Sequence, residues 1–142
     1  MFTLEDELER EMLWGDFLKA AIVALSRKYE LRRGIKGVIE GTLPVGGLSS
    51  SAAVILTYLN AICIANDIQI TRPEIISNAI WAERNYIGVN VGKLDQSCEV
   101  YCRENGLLFL DTLDDSNEII PVSSNMKPFE TVSYTHLTLP TK

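Results

Sequence analysis

The protein has 142 residues, 46% of them apolar and 23% charged, the make-up of an ordinary globular domain or part of one. A net charge of −6 excludes general affinity for nucleic acid or an anionic membrane, though not a local anion site built from backbone N–H groups. No apolar run reaches the roughly 18 residues of a membrane span, and the start, "MFTLEDELER", is acidic where a signal peptide is basic. Cys63, Cys98 and Cys102 make no disulfide framework, so reduced thiols and a cytoplasmic location are expected.

Leu4, Leu8 and Met12 are spaced along one face of an acidic helix. Gly15 breaks it, and Asp16 is placed to cap a second helix that buries Phe17, Ala20, Ala21, Val23, Ala24 and Leu25 and ends in Arg27 and Lys28. Residues 34–43, "GIKGVIEGTL", alternate Ile35, Gly37 and Ile39 with Lys36, Val38 and Glu40 and read as a strand. A turn at residues 44–48 leads into a helix from Ser49 to about Ala65, apolar nearly all round and so expected to be deeply buried, closed by Asn66 and Asp67. Thr71 caps the next helix, with Pro73 in its first turn and Ile75, Ile76, Ala79 and Ile80 on its apolar face. It ends near residues 86–88. Residues 95–102 read as a short helix, 106–113 as a buried strand, and 119–122 as another strand after the turn "DDSNE". Elements in this mixed order give an α+β or α/β fold with one layer of helices on a sheet.

The C-terminal end stands apart. Residues 132–141, "VSYTHLTLPT", match a translation of the transposase-adapter DNA used in short-read library preparation. Residues 131–142 are therefore expected to be a non-native tail and 1–130 a partial domain, which removes His136, the sole histidine, from any catalytic argument.

The chemistry centres on "VGGLSSSAA", residues 45–53. A strand, a Gly-rich turn and a helix start make an anion site. The first backbone N–H groups of a helix have no internal partner, and its dipole adds partial positive charge. Glycines allow close backbone approach to a phosphate, and serine hydroxyls add donors or a Mg²⁺ ligand. The competing reading is a plain Ser N-cap after a Gly turn; three consecutive serines before an apolar helix favour phosphate. "GVNVGKLD", residues 88–95, is no Walker A loop, since three residues rather than four separate its glycines and Leu94 replaces Ser or Thr. Nor is "GGLSSS" a nucleophile elbow, for it lacks Gly-x-Ser-x-Gly and a native base. Glu83 and Asp95 form a second constellation, in which Asp95 has either a capping or a catalytic role. Cys98 and Cys102 have too few companions for a zinc site and read as packing residues. Trp81 and Tyr86 read as packing residues too.

Together the two segments resemble the GHMP kinase superfamily, galactokinase type. "LPVGGLSSSAA" is similar to that family's phosphate-binding second motif, and "AERNYIGVNVGKLDQS", residues 82–97, to its Ala-Glu-x-x-x-x-Gly-x-x-x-Gly-x-Met-Asp-Gln pattern. "WGDFLKAAI" and "NGLLFLDTL" are similar to its flanking helix and strand. The resemblance implies an α+β fold, part of the GHMP kinase N-terminal domain (ribosomal protein S5 domain 2-like), with helices on one face of a mixed sheet. It implies ATP-dependent phosphorylation of a sugar, galactose or galacturonate, at its anomeric hydroxyl, with Mg²⁺ and with neither nucleic acid nor membrane as partner. By position, Asp95 would be the catalytic carboxylate. Gly46, Gly47, Leu48, Ser49, Ser50, Ser51 and Ala52 would hold the ATP phosphates. Ser51 and Glu83 would ligate Mg²⁺, and Asp95 and Gln96 would meet the sugar.

Departures from the family's pattern bear on the substrate. The turn is one residue short, Leu94 replaces Met, and Lys93 stands beside Asp95, where it would either meet a substrate carboxylate or be solvated. The short turn and "LDQS" resemble galacturonate kinases at least as much as galactose kinases. The family's first and third motifs have no counterpart in these residues, so the chain reads as an enzyme fragment, inactive alone. A non-catalytic sugar-binding relative is the competing class; the presence of Asp95, Gln96 and Glu83 favours the enzyme.

Overall fold

A computed structural model of the protein describes residues 8–41 and 49–122. Four α-helices are described in chain order: α1 (Gly15–Ser26), α2 (Ser50–Ala65), α3 (Arg72–Trp81) and α4 (Leu94–Tyr101). A π-helical turn, Ala82–Ile87, continues α3, and two strands, β1 (Gly106–Leu110) and β2 (Asn117–Pro121), follow α4. The strands pair antiparallel with Leu108 opposite Ile119. The α+β expectation holds, and the described sheet is this hairpin. None of the described helices is long and apolar enough to cross a membrane.

The core lies between α1, α2 and α3. Ala20, Ala21, Ala24 and Leu25 of α1 meet Ile55, Leu59, Ile62 and Cys63 of α2, with Ile75 and Ala79 of α3 closing the cluster. Small residues on α1 let the helix axes approach closely, because interaxial distance is set by the side chains at the contact. Ile22 belongs to this core as well, whereas Phe17 and Val23 are only half-buried.

Five sequence expectations are corrected. The acidic first helix is not present in residues 8–13; its residue Leu4 lies outside the described residues. Met12 has φ 62°, and the Asp16 carboxylate accepts from the backbone N–H groups of Glu11 (3.1 Å) and Leu13 (3.2 Å). A carboxylate that takes backbone N–H groups competes directly with helix hydrogen bonding. The N-cap of α1 is Trp14, and Asp16, in the first turn, anchors the segment before it. The expected strand at 34–43 is not formed over 34–41; a strand needs a ladder partner, and none is described there. Val38 is correspondingly exposed. Asn66 instead holds the start of this segment: its Oδ1 accepts from Arg32 N and Arg33 N, and its Nδ2 donates to Arg33 O and Ile62 O. Asn66 thus closes α2, as expected, and ties the extended chain to it.

The fourth correction concerns α2. Ala52, Ile55, Leu56, Leu59, Ile62 and Cys63 are buried, but Ala53, Thr57, Asn60 and Ile64 form an exposed stripe. A groove of about 590 Å³ runs between this stripe, α3 and α4. The fifth concerns β1, which is half-buried with alternating exposure rather than buried, Phe109 facing outward.

Candidate active site

The start of α2 carries the first part of the site. Ser49 is its N-cap residue, with φ 56°, and makes no side-chain cap hydrogen bond. The plain Ser-cap reading is therefore not realised. The first intrahelical bond runs from Ala53 N to Ser49 O, so the N–H groups of Ser50, Ser51 and Ala52 precede the ladder and have no acceptor within the helix, the arrangement that suits an anion. Ala52 is buried and Ser49 to Ser51 are half-buried. Gly46, Gly47 and Leu48 lie outside the described residues.

The second part comes from the π-helical turn. The Glu83 carbonyl accepts from Gly88 N and, at 2.9 Å, from Val89 N. Gly88 reverses the chain with φ 78°, a conformation that glycine adopts without a Cβ penalty. Arg84 Nε donates to Val91 O at 2.7 Å and folds the following loop back. Single π-turns inside helices recur at functional sites, since the extra residue re-aims its neighbours. Here the turn carries Glu83, which is 2% exposed.

Ser51 Oγ donates to Glu83 Oε1 at 2.7 Å, joining residues 32 apart in sequence. The other carboxylate oxygen, Oε2, accepts from Gln96 Nε2. Gln96 lies on α4 and is fully buried. Its Oε1 is the one buried side-chain polar atom without a partner among the described residues.

Asp95 precedes Gln96 in the first turn of α4 and is exposed. The N-cap residue of α4 is Lys93, so Asp95 is not its cap. Lys93 is engaged too: its Nζ donates to Thr112 O at 2.9 Å and pairs with Asp115. One helical turn after Asp95 stands Glu99, at the groove beside α2 and α3. Burial pushes the Glu99 carboxyl up, and the neighbouring Asp95 and Glu83 carry it to about 7. The i, i+4 spacing puts Glu99 on the same helix face as Asp95 but says nothing of its contact with α2 and α3.

Of the residues expected to pack, Tyr86, Trp81 and Cys98 are partly buried and Cys102 is not. Tyr86 Oη donates to Leu8 O at 2.7 Å, and the Arg27 guanidinium lies 4.2 Å from the Trp81 ring centre. Cys98 is half-buried, its thiol pushed up by burial and by Cys102; Cys102 is exposed and ends α4 in extended conformation.

Ser51 and Glu83 offer hard oxygen donors. Mg²⁺ takes such ligands, keeps several waters and completes its shell with substrate phosphates. The pair therefore fits Mg²⁺ bound together with a nucleotide. No group of three or more His, Cys, Asp or Glu suited to a metal occurs among the described residues.

Comparison with known proteins supplies the family context. The family model for the GHMP kinases N terminal domain matches residues 16–103. A galacturonokinase of Arabidopsis thaliana is 34% identical over 124 residues, covering 85% of this chain and 29% of that protein. A galactokinase of Thermococcus kodakarensis is 36% identical over 128 residues, covering 89% of this chain and 36% of that protein. The crystal structure of Lactococcus lactis galactokinase complexed with galactose superposes with a TM-score of 0.78 at 32% identity, covering 84% of this chain and 32% of that one. The chain thus spans about a third of the length of these relatives.

Proposed function

The chain belongs to the GHMP kinases, and on that footing we propose that it carries the ATP-phosphate and metal end of a sugar kinase that phosphorylates an anomeric hydroxyl. The observation that carries this reading is the Ser51–Glu83 hydrogen bond at the start of α2, with Asp95 two elements away on α4 and free of any capping duty. Gly46, Gly47 and Leu48, with Ser49, Ser50, Ser51 and Ala52, hold the triphosphate through backbone N–H and hydroxyl groups. Ser51 and Glu83 hold Mg²⁺, which when bound neutralises charge on the phosphates. Asp95 orients the sugar hydroxyl and accepts its proton as that oxygen bonds to the γ-phosphorus and the bond to the ADP oxygen breaks. Such transfer depends on positioning and electrostatic stabilisation more than on covalent chemistry, so these groups supply the phosphate, metal and carboxylate share of the machinery.

Galactose is the preferred sugar in this reading. Lys93, the candidate partner for a galacturonate carboxylate, is already engaged by Asp115 and Thr112 O. Similarity to a galacturonokinase keeps galacturonate as the second reading. The retained Asp95 stands against a non-catalytic sugar-binding relative.

The test has two stages. Binding of a non-hydrolysable ATP analogue with Mg²⁺ is measured on this chain and on Ser51→Ala. Binding that weakens at least tenfold in the variant supports the phosphate and metal assignment; no binding by the parent chain sinks it. The coding sequence is then read through both ends in the source DNA, and its product is assayed on galactose and galacturonate. The expected result is galactose 1-phosphate, abolished by Asp95→Asn with nucleotide binding retained.

A further inference from the structure

We propose that Gln96 is the positioning residue of the Glu83 carboxylate, a tie from α4 that holds one of its oxygens and thereby aims the other at Ser51. This deepens the proposed function and rests on its reading of Ser51 and Glu83 as the metal end. It replaces direct sugar contact as the role of Gln96.

The geometry carries the argument. Glu83 is 2% exposed and Gln96 fully buried, so no bulk water is on hand to solvate the carboxylate. Each Glu83 oxygen has one side-chain donor, Ser51 on Oε1 and Gln96 on Oε2. These donors come from the N-terminal turns of two different helices, α2 and α4. The amide orientation follows from the chemistry: a carboxylate oxygen accepts, so the NH₂ side of Gln96 must face it. That orientation leaves Gln96 Oε1 buried without a partner, an arrangement with a real energetic cost. A side chain that served only packing would be replaced without loss by an apolar residue. Outer residues that fix a metal-ligating carboxylate characteristically govern metal affinity 10–100-fold.

The position next to Asp95 gives the tie a second consequence. Asp95 and Gln96 are consecutive on the first turn of α4, so the backbone that presents the catalytic carboxylate is the same backbone that is anchored to Glu83. Gln96 couples the metal end to the sugar end by a single buried hydrogen bond.

The experiment measures Mn²⁺ binding by electron paramagnetic resonance in the presence of a non-hydrolysable ATP analogue. It uses the 142-residue chain, Gln96→Leu, and Ser97→Ala as a control that alters the buried neighbour of Gln96 on α4, which is not one of the two side-chain donors to Glu83. The expected result is Mn²⁺ affinity lowered 10–100-fold in Gln96→Leu and changed less than twofold in Ser97→Ala. A folded Gln96→Leu that binds Mn²⁺ within twofold of the parent overturns the tie while leaving the kinase reading intact. A parent chain that binds no Mn²⁺–nucleotide overturns both. Should Gln96→Leu fail to fold, the side-chain NH₂ resonances of Gln96 in the parent decide. Protection from solvent exchange, with a shift on adding the Mg²⁺–nucleotide analogue, supports the tie; exchange at the rate of an exposed amide overturns it.

Discussion

Glu99 is the residue whose behaviour departs furthest from its type. Burial, then Asp95 and Glu83, move its carboxyl up to about 7. A raised carboxyl binds its proton more tightly in the folded chain than in the unfolded one, so between about 4.5 and 7 stability falls as pH rises. Above 7 the full penalty is present; below 4.5 it is absent. Glu99→Gln is therefore expected to raise the melting temperature at pH 8 and to leave it unchanged at pH 4, as thermal unfolding at both pH values would show. The side chain reaches solvent, which limits the gain to about 1 kcal/mol. Asp95 and Glu83 were visible in the sequence because their spacing is distinctive. Glu99 was not, because only the packing of α4 against α2 and α3 brings burial and the other carboxylates to bear on it.

At the scale of elements, the π-helical turn decides where Glu83 points. Its end depends on Gly88 at φ 78°, where a Cβ would also come within 3.1 Å of Arg10 Nη1. Gly88→Ala is expected to cost about 1–2 kcal/mol, the penalty of placing an L side chain in the left-handed region, and to weaken nucleotide binding through Glu83. Denaturant unfolding and analogue binding measure the two effects. The sequence placed the end of this helix at 86–88, because Gly88 is a helix stop in any context. It did not reveal the π-turn, since a single inserted residue leaves the apolar spacing of Ile75, Ile76 and Ala79 intact upstream. The strand expected at 34–43 failed for the opposite reason. Alternation reports which residues suit a sheet, but a strand over 34–41 requires a ladder partner, and none is described.

For the molecule as a whole, a buried carboxylate helps fasten the residues before α1 to the helical core, together with the bond from Tyr86 Oη to Leu8 O. Asp16 is 3% exposed, accepts from Glu11 N and Leu13 N, and lies 3.7 Å from Lys19. Burial pushes its carboxyl up, but the backbone N–H groups and Lys19 outweigh this and hold it below the ordinary 3.8. Its stabilising contribution is present above 3.8 and is lost as pH falls through that value and below. Asp16→Asn is expected to cost about 1–3 kcal/mol at pH 7, with the difference from the parent shrinking as pH falls below 3.8. Chemical denaturation across that range provides the check. The sequence by itself determined α1 to α4, the Ser-rich start of α2, the carboxylates Glu83 and Asp95, and the family they belong to, because helix periodicity and motif spacing are local properties. Tertiary structure alone decided that Asp16 serves the chain before it, that Lys93 is paired to Asp115, and that Gln96 faces inward to Glu83. Each of those depends on which distant donor or acceptor a polar side chain meets once the core has closed, and a buried polar group takes whatever partner the packing brings within reach.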